Sequence, residues 1–97
     1  MNLYWGDIHA HCALSYGKGT VKRALNRAKE HLDFCSITAH SSWPDIPTDL
    51  KKHDRTISLH LGGFAKARKY WSEATKTMQK SNESGKFVTF PSYEWHS

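Results

Sequence analysis

Seven histidines are distributed over the 97 residues, and two of them stand as His9-Ala10-His11. That spacing lets both imidazoles reach one metal ion if the backbone between them is extended. The motif alone is weak, because a chain this rich in histidine yields about 0.5 His-x-His pairs by chance. Position strengthens it. His9, His11, His40 and Glu94 each fall at or just beyond the C-terminal end of a segment that reads as a strand, the end where parallel α/β proteins carry their chemistry. Imidazole with carboxylate suits a borderline divalent ion and is compatible with Zn, Mn or Fe. Asp7, two residues before His9, is positioned to hold the second nitrogen of a ligand histidine. The expected metal ligands are therefore His9, His11, His40 and Glu94, with Asp7 and Glu94 as the carboxylates that serve catalysis.

Three strands and two helices must position these groups. Residues 3–10 alternate as a strand, with Leu3, Trp5, Asp7 and His9 on one face and Tyr4, Ile8 and Ala10 on the other. Gly17-Lys18-Gly19-Thr20 interrupts the chain, and Thr20 caps a helix whose apolar stripe is Val21, Ala24, Leu25, Ala28 and Leu32. Residues 34–40 form a second strand, which puts Ser36, Thr38 and His40 on one face. Residues 44–60 show no clear period and read as a long loop containing at most a helical turn. A second helix is expected over 63–79, where Phe64, Ala67, Trp71, Ala74 and Met78 recur at helical spacing. Residues 86–90 start a third strand whose end Pro91 makes irregular, and beyond it Ser92 and Glu94 share a face. Strands alternating with amphipathic helices predict a parallel α/β sheet.

Composition narrows the class further. Hydrophobic residues make up 38% and charged residues 24%, which excludes a disordered tail or a fibrous repeat. Fourteen Lys and Arg against nine Asp and Glu give a net charge of +5, favourable to a phosphate, a nucleic acid or an anionic membrane. Most basic positions, such as Lys66, Arg68, Lys69, Lys76 and Lys80, fall on sides expected to face water. Cys12 and Cys35 lack CxxC spacing and read as reduced, buried thiols. The first residues lack the basic start and apolar run of a signal peptide, and no apolar span of about 20 residues follows, so a cytoplasmic location is expected. The Gly17–Thr20 turn lacks the spacing of a phosphate-binding loop. Ser41, His40 and Asp45 lack the GxSxG elbow of a hydrolase triad. His31, His53 and His60 are expected on the surface, and His96 either at the surface or as a further ligand or substrate contact.

Three ordered motifs are familiar as a set. Tyr4-Trp5-Gly6-Asp7-Ile8-His9-Ala10-His11, then Leu32-Asp33-Phe34 leading to Ile37-Thr38-Ala39-His40, then residues 85–95 with Phe87-Val88-Thr89-Phe90-Pro91-Ser92-Tyr93-Glu94-Trp95 span nearly the whole chain. Together they closely resemble the opening of proteins of the PHP (polymerase and histidinol phosphatase) superfamily. The resemblance implies a distorted (βα)7 barrel holding up to three divalent metals at its strand ends. By motif, it implies that His9 and His11 bind the first metal, that His40 binds the third, and that Glu94 bridges two. It also implies hydrolysis of a small-molecule phosphate ester by a metal-activated hydroxide. The sequence departs from the pattern at Ala39, where the family usually has Asp, and at Ser15-Tyr16-Gly17, where it usually has Ser-Asp-Gly.

A (β/α)8 barrel takes roughly 250 residues, so a 97-residue chain corresponds to about three strand–helix units of such a ring. Residues 1–97 are therefore expected to be the N-terminal part of one PHP-like domain, as a fragment or a truncated reading frame, with at most weak activity alone. The alternative is a catalytically inactive metal-binding or interaction piece that self-associates through open barrel edges. Nucleic-acid binding through the basic charge is the least favoured reading, and no membrane partner is expected.

Overall fold

The computed structural model describes residues 1–15, 17–46 and 50–96, with the backbone alone for 50–54. In chain order the elements are β1 (Gly6–Ala10), α1 (Val21–Lys29), β2 (Phe34–Ser42), α2 (Leu50–Ser81), β3 (Val88–Thr89) and β4 (Ser92–Trp95). β2 is the central strand. It pairs in parallel with β1 on one side and with β3 and β4 in succession on the other.

Residues 35–40 of β2 are buried without interruption, as expected of a strand covered on both faces. Cys35, Ile37 and Ala39 enter an apolar core with Leu25, Ala67, Ala74, Met78 and Phe87. The intervening residues Ser36 and Thr38 satisfy their hydroxyls on the neighbouring strands. Thr38 Oγ1 donates to the Ala10 carbonyl at 3.3 Å and Ser36 Oγ to the Phe90 carbonyl at 3.2 Å. The latter bond falls where the ladder is broken: Pro91 has no N–H to offer, and one expected strand becomes β3 and β4. Ser36 and Ser92 are also hydrogen-bonded through their hydroxyls across this break.

α1 forms as its stripe predicts. Thr20 accepts the Arg23 N–H at 3.1 Å as N-cap, Leu25 is fully buried, and Val21, Ala24, Ala28 and Leu32 pack against the core. α2 is longer than its sequence suggests. The expected loop over 44–60 is corrected from Leu50 onward, where the chain is already helical; residues 47–49 of that expected loop lie outside the described residues. The apolar stripe extends backwards, since Phe64 minus four is His60 and His60 minus three is Ile57, which is buried. Polar and charged residues at 51–56 do not break a helix. At 32 residues α2 spans about 48 Å.

The first strand is also corrected, beginning at Gly6 rather than at residue 3. Trp5 stays tied to the sheet all the same: its N–H donates to Asp33 Oδ2 at 2.8 Å, and its carbonyl accepts the Asp33 N–H at 2.7 Å. After α2 the chain turns back through Gly85, whose φ of +73° suits glycine best. The Glu83 carbonyl accepts the Lys86 and Phe87 N–H groups there, at 2.9 and 3.0 Å. The result is a compact α/β unit with a parallel sheet and two helices. Among the described residues no helix is long and apolar enough to cross a membrane.

Candidate metal centre

Because every strand pairing is parallel, β1, β2 and β4 run out in the same direction. Register then selects the neighbours. His40 of β2 stands opposite Glu94 of β4, and β1 ends beside Ile37, which delivers His9 and His11 to the same edge. The Glu94 carboxylate is the hub. Its Oε2 lies 3.2 Å from His9 Nε2, 3.2 Å from His11 Nε2 and 3.3 Å from His40 Nδ1. Its Oε1 lies 3.8 Å from His96 Nε2.

Glu94 Oε2 is buried and makes no hydrogen bond among the described residues, although three imidazole nitrogens surround it. A buried carboxylate oxygen in this state is costly. A cation among these donors would relieve it, and the ligand atoms of His9, His11 and Glu94 lie within 4.8 Å of one another. The residues present therefore fit a divalent metal.

The rings are ordered into a column. His11 and His40 stack with centroids 4.5 Å apart, and His40 and His96 stack at 4.8 Å. His40 Nδ1 is 2.6 Å from His96 Nε2, so one of these two nitrogens carries the proton. The backbone N–H of His40 donates to Ser15 Oγ at 3.3 Å. Burial pushes the His40 imidazole down to about 4; His11, His96 and His60 act in the same direction, and Glu94 opposes them. At neutral pH His40 is thus uncharged, the form in which imidazole binds metals.

Asp7 stands apart from the role its sequence position suggests. Its Oδ1 accepts the backbone N–H of His9 at 2.8 Å, which fixes the chain entering the motif and not an imidazole ring. The register of β1 against β2 is irregular just beyond Asp7. Asp7 pairs with Cys35 and Ala10 with Ile37, so three steps along β1 match two along β2, and such an irregularity breaks strict alternation.

His60, expected on the surface, lies in the site. Its ring meets His40 at 5.6 Å, His96 at 5.0 Å and Trp43 at 5.1 Å between centroids. The signal was present in the sequence, since His60 continues the stripe of Phe64 and Ala67, but it required α2 to begin earlier. His31 is exposed and near Glu30, and the His53 side chain lies outside the described residues. Ser41 Oγ donates to the Glu94 carbonyl at 3.4 Å and takes no part in a triad. Both cysteines are buried free thiols. Burial raises the thiol pKa of each; at Cys35 the Asp7 charge adds to this, while at Cys12 the Leu14 N–H and Lys66 oppose it.

Fold and site together define a parallel α/β protein with a histidine–carboxylate cluster at its strand ends. Compared with protein-family models, with curated proteins and with solved structures, the chain finds no match.

Proposed function

We propose that this chain carries part of the divalent-metal centre of a PHP-type hydrolase acting on a phosphate ester, its three parallel strand positions being the opening part of a distorted barrel. The observation that carries the reading is the buried Glu94 Oε2, enclosed at 3.2–3.3 Å by imidazoles from two other strand ends. His9, His11 and Glu94 would hold a Zn, Mn or Fe ion. A divalent ion bound there supplies Lewis-acid polarisation of a phosphoryl oxygen and activation of water for attack on phosphorus. The protein's own groups do the positioning. Asp7 fixes the backbone of His9, and Thr38 clamps the end of β1 to β2 through the Ala10 carbonyl.

Reconstituting the chain with Zn(II), Mn(II) or Fe(II) and assaying p-nitrophenyl phosphate tests the proposal. The expected result is bound metal at one equivalent or more per chain. Turnover should be weak alone, rise when the strands that complete a barrel are supplied, and vanish with chelator. Metal uptake without turnover, even in the completed barrel, would favour an interaction module.

One observation supports that second reading. Trp5, Ile8, Tyr93 and Trp95 are large apolar residues that remain more than half exposed, and among the described residues β1 on one side and β3 and β4 on the other are the outer strands of the sheet. A sedimentation series showing concentration-dependent self-association would support docking through these edges.

A further inference from the structure

We propose that His40, His60 and His96 form a second divalent-metal site beside the His9, His11 and Glu94 group, with the Glu94 carboxylate lying against two of its three imidazoles. One ligand atom from each of the three lies within 4.8 Å of the others. The donors come from three elements: the end of β2, the middle of α2 and the residue after β4. Such convergence places them around a point and not along one face.

Each ring is held by a bond outside the cluster or by stacking. His60 Nδ1 donates to the Thr56 carbonyl at 2.8 Å, which puts the lone pair on Nε2, the outer-partner arrangement common to metal-binding histidines. The His96 backbone N–H donates to the Ser42 carbonyl at 2.8 Å, fixing the residue where β4 ends. His40 is buried at the end of the central strand. Trp43 and Phe64 flank the group, with centroids 5.1 and 6.0 Å from that of His60.

Three imidazole donors select a borderline ion such as Zn(II), Co(II) or Cu(II) over Mg(II) or Ca(II), which take oxygen donors. Metal–nitrogen bonds of about 2.0–2.1 Å set tetrahedral donors about 3.3 Å apart. The 2.6 Å contact between His40 and His96 would therefore open slightly on binding. Three protein ligands leave a fourth position for water or substrate. The site stands without the hydrolase reading, since binding does not require turnover.

The test is a titration of the chelator-stripped 97-residue chain with Co(II), counting bound metal by equilibrium dialysis and following visible ligand-field absorption. The wild type should bind two equivalents. His60→Ala should bind one, with affinity for the second lowered more than about 100-fold, beyond the cost of losing an outer partner. His60→Phe, which keeps an aromatic ring beside Trp43 and Phe64, should behave alike and separates ligand loss from loss of packing. His9→Ala should also bind one equivalent, but with the spectrum of the His40, His60 and His96 site. Two equivalents retained in both His60 variants, or a single wild-type equivalent that neither variant weakens, would overturn the proposal. If His9→Ala alone loses metal, the first centre survives and the second does not.

Discussion

His40 and Glu94 face each other across neighbouring parallel strands, with His40 Nδ1 3.3 Å from Glu94 Oε2. That one register position draws imidazoles from β1, β2 and the end of β4 around a single carboxylate, and four tests follow from it and from the scaffold that holds it.

Metal should stabilise the fold. A ligand present at 100 times its Kd contributes about 2.7 kcal/mol, which in a chain of this size corresponds to a rise in Tm of roughly 10 °C or more. Thermal unfolding with and without Zn(II) measures it. Glu94→Gln and His9→Ala should each lose most of the shift contributed by the first centre; an unchanged shift in both would remove these residues from the ligand set.

Acid should weaken the metal-free protein. His40 is held near 4 when folded against about 6.5 unfolded, so the unfolded chain binds the extra proton between these values. Its contribution is complete above about pH 6.5 and is lost as pH falls toward 4, by up to about 3 kcal/mol. Urea titrations of chelator-treated protein across this window should show the slope, and His40→Gln should flatten it.

Gly6 sits where β1 meets Phe34 of β2, and an added Cβ would collide with the Phe34 ring. Gly6→Val should therefore destabilise by about 1–3 kcal/mol through overpacking. Combined with Phe34→Ala, much of that penalty should disappear, giving a non-additive double-mutant cycle; simple additivity in urea unfolding would contradict the contact.

Gly62 lies inside α2 with nothing within 4 Å of an added Cβ. Gly62→Ala should raise stability by about 0.5–1 kcal/mol, because glycine loses more backbone freedom in a helix. Urea midpoints of the two proteins decide this, and no gain would mean that the long helix is not continuous through this point.

Much of the scaffold was legible from local pattern. The stripe from Val21 to Leu32 defines a helix and its buried face, and the polar, ionisable residues gathered after strand-like runs mark the working edge. Periodicity sees only a few residues at a time, and its failures lie where distant parts of the chain overrule it. Asp7 accepts the backbone N–H of His9, in a stretch of β1 whose register against β2 slips by one residue. His60 was missed because the residues before it show no clear helical period, whereas α2 begins at Leu50 and brings His60 beside His40 and His96.

From its residues alone, then, the chain determines that parallel strands will alternate with amphipathic helices and which donor types stand at their ends. Only the tertiary structure decides that Glu94 is the hub, that Asp7 holds backbone instead of a ring, and that His60 and His96 join His40. Register and helix length are set by burial between segments dozens of residues apart, and no local repeat in the sequence encodes those distances.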